Sequence, residues 1–151
     1  NAVDKPPLLL KVGPDLTEKD KDDIAEVALD VEIDGIIATN TTIKRPNYLS
    51  SKYTGETGGL SGQPLFEAST QVLADFYKLT RGQLPLIGVG GIGSAKQAYA
   101  KIRAGASLVE LYSSLIYRGP SLVLQIKREL AALLELDGFT SIMDAIGTDV
   151  H

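Results

Sequence analysis

Five short stretches of this 151-residue chain carry side chains that can do chemistry. Lys11 interrupts the apolar run Leu8-Leu9-Leu10-Lys11-Val12 and puts a cation where hydrocarbon is expected. A fixed ammonium there either faces an anionic ligand or developing negative charge, or snorkels to water along its own stem. Thr39-Asn40-Thr41-Thr42 sets an amide, with two donors and an acceptor, among hydroxyls. That group suits a ligand with N–H and C=O edges, and equally a capped turn. Gly58-Gly59-Leu60-Ser61-Gly62 and Gly90-Gly91-Ile92-Gly93 are glycine-rich turns ahead of helices. Such turns can aim backbone N–H groups at an anion, and a helix N-terminus favours phosphate. Tyr112-Ser113-Ser114 adds three hydroxyls.

Composition removes other chemistries. There is no Cys, and the one His, His151, is the last residue, where chains usually fray. Disulfides, cysteine nucleophiles, histidine bases and Cys- or His-ligated metals are therefore not expected. Fifteen Lys and Arg against 19 Asp and Glu give a net charge of -4, so no electrostatics call for nucleic acid. No apolar stretch approaches the roughly 18 residues of a membrane span. Reaction chemistry here falls to Lys, Asn, Ser, Thr, carboxylates or a borrowed cofactor. The chain opens at Asn1 and its only Met is Met143, from which a preceding segment is expected.

The elements that must position these groups repeat. Leu8 to Val12 reads as a strand buried on both faces, followed by a helix from about Thr17 with Ile24, Val27, Ala28 and Val31 at helical spacing. The mixed-sign TEKDKDD at its start reads as a solvated face. Gly35 to Asn40 is the second strand; a long connection, Arg45 to Gly62, reads as a lid or site-lining loop before a helix near Pro64. Pro85 to Val89 is the third strand, and its helix starts at Ser94 with a capping-box spelling to Gln97 and stops at Gly105. Ser107 to Tyr112 is the fourth, with a turn at Gly119-Pro120 and a helix carrying Leu122, Ile126, Leu130, Leu133 and Leu134. The tail from about Asp137 shows no strong periodicity.

Four strand–helix units imply parallel strands with helices outside. A full eight-unit barrel takes about 250 residues, so the chain reads as half of a (β/α)8 TIM barrel; an open flavodoxin-type sheet is the competing architecture. A half barrel alone would expose two apolar strand edges. In either architecture the site lies at the carboxyl ends of the strands, where Lys11, Thr39 to Thr42, Gly90-Gly91 and Tyr112 to Ser114 fall. The opposite loops, such as Glu32-Ile33-Asp34 and Arg81-Gly82-Gln83, are ordinary polar turns. If the last two strands are the seventh and eighth of a barrel, Gly90-Gly91 and Tyr112-Ser113 occupy its usual phosphate position.

Taken in order, LLLKVGPDLT, IIATNTT, ETGGLSG, PLIGVGGIGS and IRAGASLVELYSSL resemble the class 2 dihydroorotate dehydrogenases. The resemblance runs through essentially all of residues 1–151, and the wording sits nearest the mitochondrial members. It implies an FMN-containing (β/α)8 barrel that oxidises dihydroorotate to orotate in pyrimidine synthesis and passes electrons to a quinone. By resemblance Lys11 lies beside the flavin and steadies its reduced, anionic ring. Thr39 contacts FMN; Asn40 and Thr41 hold the pyrimidine. Ser61 and Gly62 belong to the loop over the cofactor, and Gly90, Gly91, Tyr112 and Ser113 bind the FMN phosphate.

The resemblance also implies what this chain does not carry: the amino-terminal half of the barrel, its catalytic-base serine and the quinone entrance at the mitochondrial inner membrane. Residues 1–151 are thus expected to need that half as a partner. Two other readings stand beside it: another phosphate-binding barrel enzyme, such as an isomerase or an aldolase with a Lys11 Schiff base, and a non-catalytic half-barrel fragment.

Overall fold

A computed structural model describes residues 5–150; His151 lies outside them. The elements run β1 (Leu9–Val12), α1 (Glu18–Asp30), β2 (Gly35–Ala38), a short 3-10 turn (Gln63–Leu65), α2 (Phe66–Leu79), β3 (Leu86–Val89), α3 (Ala95–Arg103), β4 (Leu108–Glu110), α4 (Ser113–Arg118), α5 (Ser121–Leu136) and α6 (Ile142–Ala145). The strands form one parallel sheet in the order β1-β2-β3-β4. A flavodoxin-type sheet reverses direction at a switch point, whereas this order moves steadily one way, as staves do around a barrel wall. The helices likewise pack in sequence, α1 on α2, α2 on α3 and α3 on α5.

Register settles which residues share a face. Val12 pairs with Ala38, Ala38 with Gly88 and Gly88 with Val109, and this row faces the helices. Ile36, Leu86, Leu73 and Phe76 complete that core with no solvent exposure. Burying each of these large side chains stabilises the fold by roughly 1.5–3 kcal/mol. Lys11, Ile37, Ile87 and Leu108 form the alternate row, on the opposite face of the sheet.

The two outer strands are not buried on both faces. Leu9 is 36% and Leu10 41% exposed in β1, and Leu108 is 64% exposed in β4. Continuous apolar character marks a strand made for double burial, but β1 and β4 are the edges of this sheet and have a neighbour on one side only. The expected pair of exposed apolar edges is present.

Helix ends follow their local chemistry. Thr17 caps α1 in a reciprocal box with Asp20. Ser94 accepts from the Gln97 N–H, while the Gln97 side chain reaches past it to the Gly93 N–H at 2.9 Å. Gly105, at φ +113°, ends the third unit's helix as expected.

Three further expectations need correction. Lys21, in the stretch read as a solvated face, is buried and ion-paired with Asp75 of α2 at 2.5 Å. The fourth strand leads first into α4, ahead of the Gly119-Pro120 turn that the sequence suggests. The tail is not featureless: Ser141 and Asp144 cap α6, whose Ala145 packs against Tyr99 and Ile102 of α3.

Candidate functional site

The strand tips converge on one cavity of about 290 Å³. All ten residues singled out for binding line it: Lys11, Thr39, Asn40, Thr41, Ser61, Gly62, Gly90, Gly91, Tyr112 and Ser113. Lys11 leaves β1 into this cavity and is exposed there. Backbone bonds anchor the second tip, with the Asn40 N–H donating to the Val12 carbonyl at 2.7 Å and the Thr39 N–H to the Val89 carbonyl at 3.2 Å. The Thr39 hydroxyl is buried and donates to the Asn40 carbonyl at 2.8 Å, leaving the Asn40 side chain exposed at the cavity.

Of the long connection only its exit, Ser61 and Gly62, lines this cavity; the rest is braced by its own bonds. Thr42 and Leu60 pair as an isolated antiparallel bridge, closing the loop at its base. Asp15 accepts from the Thr42 hydroxyl at 2.6 Å and the Ile43 N–H at 2.9 Å. Arg45 reaches across the loop to the Glu56 and Gly58 carbonyls, at 3.2 and 2.7 Å. A guanidinium spanning carbonyls in this way ties loop backbone that has no ladder of its own. The loop's exit then brings the Ser61 hydroxyl to 3.0 Å from that of Ser113.

The glycines at the third tip serve packing first. A Cβ on Gly91 would lie 2.5 Å from the Phe66 Cβ, and one on Gly90 would lie 2.7 Å from the Ser69 Oγ. Both residues also have positive φ, +72° and +112°. The turn is therefore pressed onto the first turns of α2, which brings its main chain to the cavity beside Ser113. Among the described residues the N–H groups of Gly91 and Ser113 meet no protein acceptor. Free amides, two hydroxyls and a wall without side-chain bulk suit a phosphate at this end, and Lys11 and Asn40 suit a ring with N–H and C=O edges at the other.

Sequence reading missed Glu110, the last residue of β4, which lines the same cavity. Its signal was available: Glu110 breaks the run Leu108-Val109-Glu110-Leu111 just as Lys11 breaks the first strand. Ser114 also lines the cavity, and its hydroxyl donates to the Ile92 carbonyl at 2.5 Å, joining the last two tips.

Known proteins match this arrangement closely. A dihydroorotate dehydrogenase (quinone) of Rhodospirillum rubrum is 61% identical over 145 residues, covering 96% of this chain and 40% of that protein. The mitochondrial dihydroorotate dehydrogenase (quinone) of Mus musculus is 54% identical, covering 96% of this chain and 37% of that protein. Bacterial relatives are thus at least as similar as mitochondrial ones, contrary to the wording of the motifs. The ligand-free dihydroorotate dehydrogenase structure from Eimeria tenella superposes with a TM-score of 0.94 at 50% identity, over 97% of this chain and 41% of that one. The chain spans about 40% of the length of the curated relatives it matches, and the family model described as dihydroorotate dehydrogenase matches residues 1–134. With strand order, cavity and relatives in agreement, the chain belongs to the dihydroorotate dehydrogenase family.

Proposed function

We propose that this chain is the C-terminal half of an FMN-dependent enzyme that oxidises dihydroorotate to orotate, with a quinone as final acceptor, in pyrimidine synthesis. The observation that carries the reading is the meeting of cation, amide, hydroxyls and glycine turns on one cavity at the strand tips. FMN, when bound, supplies the hydride acceptor and passes the electrons on.

This chain's residues hold and orient. Gly90, Gly91, Tyr112 and Ser113 grip the phosphate through main-chain N–H groups, while the Ser61 hydroxyl and Gly62 close over the cofactor. Thr39 supports the cofactor at the second tip. Asn40, whose amide offers two donors and an acceptor, would hold the pyrimidine, and Thr41 adds a hydroxyl. Lys11 sets a positive charge where negative charge develops during reduction. By the family resemblance, the proton is taken from the substrate by a serine of the N-terminal half; among the described residues the Ser61 and Ser113 hydroxyls bond to each other and to no base.

The N-terminal half is the required partner. Further strands continue the sheet at β1 and β4 and cover Leu9, Leu10 and Leu108. The quinone enters through that half, which also provides the membrane contact; no described helix here is long and apolar enough to cross a bilayer. Relatives carry both bacterial and mitochondrial names, and the mitochondrial inner membrane is the setting proposed.

The test is to purify the complete polypeptide, record its visible flavin spectrum and follow quinone reduction on adding dihydroorotate. A colourless protein, or one that reduces quinone no faster with dihydroorotate than without, overturns the reading.

A further inference from the structure

One buried charge has no part in the function described so far. Lys101 of α3 has no solvent exposure at all. Its stem crosses β3 at Gly88, where a Cβ would lie 3.2 Å from the Lys101 Cβ and 3.3 Å from its Cδ. The Lys101 Nζ then reaches α2, where it donates to the Ser69 hydroxyl at 2.6 Å and sits 5.3 Å from the centre of the Phe66 ring. A buried ammonium with one oxygen acceptor and one aromatic face is expensive to keep, and a Leu or Met would fill the same space without that cost.

Ser69 links this charge to the site. Its single hydroxyl proton is shared between the Phe66 carbonyl at 3.1 Å and the Gly90 carbonyl at 3.3 Å. An ammonium has no lone pair, so while Lys101 is charged the hydroxyl can only donate onward, to those two carbonyls. We propose that Lys101 is a positioning residue for the phosphate end of the site: through Ser69 it holds the Gly90 carbonyl and so keeps the Gly90–Gly91 turn shaped to receive the anion. This inference rests on the phosphate-binding reading of that turn.

The arrangement gives the grip a pH dependence. Burial brings Lys101 down to about 7, and among the described residues the charge that acts on it is Glu67 of α2, which pulls the other way. Gly88 of β3, which the stem crosses, and Ala106 beside it bear no charge. As the ammonium loses its proton, the amine gains a lone pair that accepts from Ser69, and the Gly90 carbonyl is released.

The experiment uses the complete enzyme stripped of flavin, titrated with FMN and, separately, with riboflavin, which lacks the phosphate. Affinity is read by flavin fluorescence between about pH 6 and pH 9, a range that brackets the titration. The wild type should lose about tenfold in FMN affinity across that range, the size of one charge-assisted hydrogen bond. Lys101→Met and Ser69→Ala should bind FMN about tenfold more weakly at the acid end and show a flatter profile, with riboflavin unchanged. Ser69→Ala keeps the buried charge and serves if Lys101→Met does not fold. Wild-type affinity and pH profile in both variants would overturn the role of Lys101, as would equal weakening of FMN and riboflavin. A wild type that binds neither flavin would instead bring down the cofactor reading, and this inference with it.

Discussion

The hydroxyls of Ser61 and Ser113 lie 3.0 Å apart although 52 positions separate them, and their contact joins the loop over the cavity to the turn after the last strand. Each is close enough to hold the other in place, so they should act on a ligand as a unit. Ser61→Ala and Ser113→Ala are each expected to weaken FMN binding to the complete enzyme several-fold. The double variant should fall short of the summed effects by about 1 kcal/mol, the worth of one hydrogen bond. Fluorescence titration of the four proteins checks this; strict additivity would show that the contact does not couple them.

Gly91 is held to glycine by the helix behind it. Gly91→Ala sets a Cβ 2.5 Å from the Phe66 Cβ and 2.8 Å from the Phe66 N at φ +72°. Gly119→Ala, at φ +73° with nothing within 4 Å, carries the backbone cost without the clash. Gly119→Ala should cost about 1 kcal/mol and Gly91→Ala about 2–4 kcal/mol. Thermal melting of the complete enzyme compares them, and equal losses would remove the clash from the account.

Lys11 faces the cavity from an exposed position, so its loss should touch chemistry more than folding. Lys11→Ala is expected to slow flavin reduction by dihydroorotate about 100-fold, the usual cost of one stabilising charge or donor. Stability should change by less than about 1 kcal/mol. Rapid mixing without quinone isolates that half-reaction, and an unchanged rate would defeat the assignment.

Lys21 bonds to Asp75 at 2.5 Å and to Glu18 at 2.6 Å, tying α1 to α2. Burial pushes its ammonium toward the neutral form, but the bonds to the two carboxylates outweigh burial and raise it above the ordinary lysine value of 10.5. A lysine raised on folding adds stability that is complete below 10.5 and fades as pH climbs through the folded value. Lys21→Met should therefore cost about 1–3 kcal/mol, evenly across the neutral range, with the gap to wild type narrowing only in alkali. Denaturant titrations over a pH series test it; a gap that closes near neutrality would contradict the raised value.

Much of the architecture could be read in one dimension. The strands announced themselves as apolar runs ended by glycine or polar tips, and the strand-end rule together with the family resemblance named ten residues that line one cavity. What stayed hidden involved partners distant in sequence. Lys21 looks solvated among Glu18, Lys19 and Asp20 until Asp75, 54 positions on, is placed opposite it. Lys101 sits in the polar-looking stretch Ala95–Arg103, and only the stacking of α3, β3 and α2 buries it. Glu110 is legible in the same way, since it breaks the apolar run of the last strand as Lys11 breaks the first.

The amino-acid sequence alone determined the repeating unit, the parallel sheet, the chemical character of each tip and the family resemblance, because these depend on residue type and short-range periodicity. Tertiary structure alone decided which strands became edges, which glycines were pinned against Phe66 and Ser69, and which lysines lost their water. The physical reason is that burial and close approach are properties of pairs of surfaces. Neither surface records in its own local sequence what will be pressed against it.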